Sequence, residues 1–461
     1  MHLSAEIVLS VWLVIGVAAF FVFPVRRALL FDFLGGWALL PTSAFHVDPS
    51  PFPYWLLGSA LPSIHMLTKA TAIGAAALAG ILLRQPSALR SLRPSWRDLP
   101  MLAWCLAPLV TGIAHPQMLS TGLRGVAYLG LAWGIPYLAG RIVFATSGSL
   151  LELIRAFVVA GLLYVPVCLF EFVRGPQLYA WLYGFEPYRW IGADRYIGHR
   201  PVGFLEDGNQ LGIWMATAAL LATCLWRRTE VRRILGLPIH LAAILLIAIT
   251  LLCQSGGSIL LLFCIMPFAL IRGGQFQKRF VLVLACLMVC LAGLRLSNVV
   301  SLRALVNHHR AARSAEHAMA HLGRESFGWR LEQDERHVKT ALEHRWVGSG
   351  EWDWWREGRD RPWSLWLLAF GMYGIVGLAA LEALQFLPAI ESGWKTGHLR
   401  HATAAAILIS AIDNLLNSCP ILPVLLLLGA LNAAGSDLTE ESPRTIHYDK
   451  QEGAPAVYVH S

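Results

Sequence analysis

The chain has 461 residues, 56% of them apolar and only 14% charged, with a formal net charge of +8. Soluble domains carry roughly a quarter charged residues, so this composition excludes an ordinary water-soluble globule and makes lipid the solvent. The basic excess is spread along the chain rather than gathered in one patch, which leaves no role for a nucleic acid.

The first apolar run, 5–23, lacks the basic start and small-residue cleavage site of a signal peptide and reads as a retained helix. Further runs follow at 28–45, 64–83, 99–114, 120–139, 150–171, 209–226, 235–252, 257–271, 280–296, 363–387, 401–416 and 420–434. Most approach the length that a bilayer core requires, and the absence of water forces them to be helices. The run at 28–45 contains Asp32, Gly35, Gly36 and Pro41. It reads either as a span, with the N-terminus outside, or as a re-entrant segment, with twelve spans and the N-terminus inside. Arg26–Arg27, Arg84 to Arg97, Arg141, Arg227 to Arg233, Arg272 to Arg279 and Lys395/Arg400 occupy alternate connections, whereas 46–63, 115–119 and 254–257 contain no Lys or Arg. This positive-inside pattern puts the basic turns in the cytoplasm and the long connections 174–207 and 298–362 outside.

The expected fold is an all-α polytopic membrane protein with 12–13 transmembrane helices and a long periplasmic loop before the last two or three spans. It divides into an N-terminal bundle over 1–296 with an outer loop at 173–208, the large loop 297–362, the C-terminal helices 363–435, and a polar, disordered tail at 436–461. The eight cysteines fall inside or beside apolar runs, with neither a disulfide framework nor zinc spacing. Cys286 and Cys290, one turn apart, read as packing thiols. No cofactor or metal is expected.

The outer loops carry the candidate chemistry. Arg200 sits in Gly198-His-Arg-Pro-Val-Gly-Phe204, a punctuated turn leading into the span at Asn209. Arg330 opens a helix-forming stretch through Leu331, Val338 and Leu342 that suits the membrane interface. Two guanidinium forks there fit a lipid diphosphate. Lys69, near the outer end of its run, either joins that anionic site or snorkels without function. Asp413, with Asn414 and Asn417, reads as a polar packing cluster or a proton carrier inside a late span. Six histidines, His308, His309, His317, His321, His337 and His344, populate the second loop, and His337, one turn from Asp334, is the candidate base. Trp346, Trp352, Trp354, Trp355 and Trp363 stand among Glu351, Asp353, Glu357 and Asp360, as sugar-stacking faces or interfacial anchors.

Together these residues resemble the O-antigen ligase and polymerase superfamily. The resemblance rests on Arg195-Tyr-Ile-Gly-His-Arg-Pro-Val-Gly-Phe204 followed by Gly208-Asn-Gln-Leu-Gly212, on Arg330 to Gly350, and on Trp363 to Gly377, similar to the family's His-Asn…Glu-x-Gly-x-x-Gly helix. Trp363 and Ser364 stand where the family has His-Asn, and Met372 replaces its Glu, so the chain looks like a divergent branch. The resemblance implies metal-independent transfer of a glycan from undecaprenyl diphosphate to an acceptor glycan or lipid, at the periplasmic face of the bacterial inner membrane. Arg200 and Arg330 would then stabilise the leaving diphosphate, with Lys69, Arg195, Asn209 and Trp363 in the substrate site. His337, Glu206 or Asp207 would take the acceptor proton. Membrane lipids and other polysaccharide assembly proteins are the expected partners. The rival readings are a flippase for lipid-linked glycans and a non-catalytic component of an export system. Charged residues are sparse within the spans, Lys69, Arg124, Glu171 and Asp413 among them, which disfavours transport.

Overall fold

A backbone without water to bond closes its hydrogen bonds within each segment, and the chain folds accordingly into helices plus one two-residue antiparallel ladder, Arg233–Ile234 against Leu237–Pro238, among the described residues. The computed structural model describes residues 2–42, 60–63, 65–90, 92, 94–185, 197–227, 231–271, 274–296, 308–310, 313–314, 326–356, 361–395, 397–418 and 420–433. Arg195, His317, His321, Cys419 and the 436–461 tail lie outside them.

The first half comprises α1 (Ala5–Val22), α2 (Val25–Leu30) continuing through a π turn (Phe31–Gly35) into α3 (Gly36–Leu39), α4 (Lys69–Arg84) and α5 (Leu99–Ala114). Next come α6 (Leu119–Leu129), running through a second π turn (Gly130–Gly134) into α7 (Ile135–Val143), then α8 (Ser147–Arg174) and the short α9 (Leu178–Tyr183). The second half holds α10 (Gly208–Trp226), α11 (Ile239–Leu252), α12 (Gly256–Leu270), α13 (Gly274–Leu296), α14 (Ser326–Glu343), α15 (Leu365–Gly393), α16 (His398–Asp413) and α17 (Val424–Ala433). Ala5–Val22, Pro116–Val143, Ser147–Arg174 and Leu365–Gly393 are each long and apolar enough to cross a membrane, by length and composition.

A helix at a water surface is apolar on one face only. These helices are apolar on both. α5 buries Met101, Trp104, Ala107 and Thr111, while its outward stripe is Leu99, Leu102, Leu106, Val110 and Ile113. α1 likewise exposes Ile7, Val14 and Val22. Such a surface is what lipid requires. At the centre stands α10, of which every residue except Asn209 and Trp226 is buried, packed against α8, α11, α12 and α16.

The first hairpin settles how the N-terminus runs. Leu3 N donates to Leu182 O at 2.9 Å, and the Tyr183 hydroxyl donates to Leu39 O at 3.3 Å. Both ends of the α1–α3 hairpin therefore meet α9, so the 25–39 segment returns to the end of the bundle at which the chain begins. At the opposite end, Arg97 meets Glu391 at 2.7 Å and Arg141 meets Asp98 at 2.6 Å.

Three expectations need correction. Lys69 is the first residue of α4 rather than several residues inside it, because Thr68 caps the helix through Thr71. α14 begins at Ser326, four residues before Arg330, and ends at Glu343. The span expected at 363–387 extends instead to Gly393 and is broken at Gly374, whose φ is +62°. The break is filled by the segment that precedes it. Ser349 N and Gly350 N donate to Gly371 O and Met372 O, each at 3.0 Å, and Ile375 N donates to Arg345 O at 2.8 Å. A Cβ at Gly374 would lie 2.4 Å from the Trp346 carbonyl, and one at Gly348 2.2 Å from that of Met372. The inserted chain is held from the other side as well, since the Thr111 hydroxyl donates to Val347 O at 2.5 Å and His115 Nε2 lies 3.0 Å from Gly348 O.

Candidate functional site: two arginine relays

Asp207 caps α10, accepting the Gln210 N–H at 2.7 Å in the manner that makes aspartate a favoured N-cap. Its other oxygen accepts from Asn209 Nδ2 at 3.0 Å, and Asn209 Oδ1 in turn accepts from Arg200 Nη2 at 2.6 Å. Arg200 lies flat across Gly208, where a Cβ would come within 2.4 Å of its Nε. The turn that delivers Arg200 is fixed by a carboxylate from below. Glu171, fully buried near the end of α8, accepts the N–H groups of Val202 at 2.8 Å and Gly203 at 2.6 Å. Lys69 reaches the same turn, donating to Phe204 O at 3.2 Å with its ammonium 4.3 Å from the Trp37 ring centroid. It is fully buried, so it does not snorkel outward.

A second relay repeats the pattern. Arg330 Nη1 donates to Asn417 Oδ1, and Asn417 Nδ2 donates to Asp413 Oδ1 at 2.6 Å. Asp413 and Asn417 are four residues apart at the end of α16, a spacing that puts them on one side of a helical turn. The two relays stand on neighbouring elements, since α10 packs against α16 and Gln210 Nε2 donates to Pro420 O at 3.2 Å.

Trp363 serves as a platform. The guanidinium carbons of Arg330 and Arg361 lie 5.6 and 4.6 Å from its ring centroid. Asp334 of α14 accepts from Trp363 N at 2.8 Å and Ser364 N at 3.4 Å, while Leu365 N donates to the carbonyls of Asn414 and Asn417. The orphan donors at the start of α15 are thereby satisfied by its neighbours, and α14 is docked over that helix end. Around the junction several buried polar atoms carry no hydrogen bond: Arg330 Nε, Gln333 Oε1, Ser364 Oγ, Asn414 Oδ1 and Ser418 Oγ. Unsatisfied groups of this kind are uncommon in native interiors and mark places where a polar ligand would be stabilised.

Of the expected site residues, Arg200, Asp207, Asn209 and Arg330 are brought together, with Lys69 and Glu206 beside the Arg200 turn and Trp363 beneath Arg330. Glu206 is buried, its N–H held by Gln210 Oε1 at 2.9 Å. His337 lies two turns along α14 from Arg330, buried and edge-on to Trp354 at 6.2 Å. Sequence reasoning singled out Asp413 and Asn417 but did not join them to Arg330, and it gave Glu171 and Arg361 no role at the site; Asp334, read as the carboxylate beside His337, holds the start of α15. The four-residue Asp413–Asn417 spacing was the one available signal. Compared with known proteins, the chain matches no family model and no curated protein.

Proposed function

We propose that the protein transfers a glycan from an undecaprenyl diphosphate carrier to an acceptor hydroxyl, at the periplasmic face of a bacterial inner membrane. In this reading thirteen helices cross the membrane, α2 and α3 acting as one and α6 and α7 as another, with the relay end outside and the Arg97–Glu391 end in the cytoplasm. The observation that carries the proposal is the pair of Arg–Asn–Asp relays. Each guanidinium is aimed by an asparagine amide that an aspartate holds in turn, and an oriented fork of donors suits a diphosphate. The resemblance of the Arg200 and Arg330 segments to O-antigen ligases and polymerases points the same way.

The chemistry is a displacement at the anomeric carbon. The acceptor oxygen forms the new C–O bond as the bond to the diphosphate breaks, and the electron pair leaves with undecaprenyl diphosphate, inverting the centre. Arg200 and Arg330 stabilise the charge that develops on the leaving group. The acceptor proton passes to a base. Asp207 has both oxygens committed to Gln210 and Asn209, and His337 is covered by Trp354, so Glu206 is the base of choice. Glycan length in cells carrying Arg200→Ala or Arg330→Ala is the direct test. Loss of polymer at normal protein levels is expected, and wild-type polymer in both variants refutes the reading.

A further inference from the structure

The tryptophan-rich turn that follows the inserted segment has no part in the relays, yet it lines two cavities. Glu351, Trp352 and Asp353 border one of about 270 Å³ together with Arg124, Thr121 and Ser63. Glu351 and Asp353 also border a second of about 460 Å³, with Glu343, His344, Ser349 and Arg356. The two carboxylates thus stand between two spaces, each of roughly small-molecule size.

Charge narrows the ligand. Asp353 is ion-paired with Arg356, whose guanidinium lies 5.7 Å from the Trp352 ring centroid, and Glu351 lines the same cavity as Arg124. Glu343, Glu351 and Asp353 outnumber Arg124 and Arg356 among the lining residues, so the walls repel a strong anion. They offer carboxylate acceptors, guanidinium donors and an indole face, a combination that suits a neutral ring bearing many hydroxyls. Hydrogen bonds to charged groups are the stronger kind, and the indole receives the apolar face of the ring. The turn is also preorganised. Its start is fixed by the Ser349 and Gly350 bonds to α15, and Glu351 N donates to Ser349 Oγ at 3.1 Å.

Position narrows it further. Arg330, in the first half of α14, and His344, just past its end, are about 20 Å apart at 1.5 Å per residue. A hydroxyl reacting beside Arg330 therefore cannot also lie against His344 in the second cavity. We propose that the two cavities form a carbohydrate-binding groove that holds the acceptor glycan several sugar residues away from the diphosphate. The direction of the chain rests on the glycan-transfer reading, whereas the occupancy of the groove by carbohydrate does not.

Photo-crosslinking in cells of the native host tests this whatever the identity of the sugar. A benzophenone residue replaces Met118, which lines the first cavity, or Leu102 on the exposed apolar face of α5 as control. The expected result is a carbohydrate-staining protein adduct from the Met118 position, absent from the Leu102 position, and reduced at least tenfold by either Trp352→Ala or Glu351→Gln at equal protein levels. A Met118 adduct without carbohydrate, no adduct, or a carbohydrate adduct that neither variant reduces overturns the groove. If Arg330→Ala abolishes polymer while the Met118 adduct lacks sugar, the groove alone fails. If both arginine variants keep wild-type polymer while the adduct carries sugar, the transfer reading alone fails.

Discussion

Arginines meet carboxylates in different ways at the two ends of the bundle. At one end the contacts are direct, Arg97 on Glu391 at 2.7 Å and Arg141 on Asp98 at 2.6 Å. At the other, the observed path from Arg200 to Asp207 and from Arg330 to Asp413 runs through an asparagine. Coulomb attraction falls inversely with distance, so an interposed amide roughly halves it. The direct pairs cancel charge and tie helix ends together, joining the start of α5 to α7 and to the end of α15. The relays orient the guanidinium forks through an amide.

Removing a relay arginine should therefore impair chemistry, and removing a paired one should impair the fold. The largest effect is expected from Arg330→Ala, with turnover reduced on the order of 10²–10³-fold, as when a donor to a developing anion is deleted. Single-turnover transfer from a lipid diphosphate donor reads this, and the unfolding midpoint should stay close to wild type. Arg141→Ala should instead destabilise the protein by about 2 kcal/mol, below the range for fully buried pairs because Asp98 is 21% exposed and keeps the Tyr137 hydroxyl. Denaturant unfolding in detergent measures that loss, while the folded fraction keeps its turnover. Gly208→Ala is the mildest of the three. Its new methyl displaces Arg200 from Asn209 and should raise the donor KM about tenfold, or ~1.4 kcal/mol, without loss of fold.

Much of this contrast was legible in the sequence, and the reason is physical. Lipid sorts charge by side, so Arg97, Arg141, Arg200 and Arg330 could be assigned to an end of the bundle from their positions between apolar runs. Pairing could not be read in the same way. Arg330 and Asn417 are 87 residues apart, and only folding brings them into contact. The break in α15 was hidden for another reason. Gly371, Gly374 and Gly377 fit an unbroken apolar helix equally well, and only the docking of 345–350 shows which glycine must adopt a positive φ. Trp363 illustrates the limit of analogy. Read against the family motif it is a missing histidine, whereas in the fold it is the surface on which Arg330 and Arg361 rest.

The difference between relay and pair can be erased by a single atom change. Asn417→Asp places a carboxylate directly against Arg330, converting the relay into a direct pair at nearly constant volume. The decisive measurement is the affinity of the purified protein in nanodiscs for undecaprenyl diphosphate, by titration, in wild type, Asn417→Asp and Arg97→Ala. The expected result is binding weakened at least tenfold in Asn417→Asp and unchanged per folded molecule in Arg97→Ala. Equal affinity in wild type and Asn417→Asp would contradict the assignment of the relays to the diphosphate.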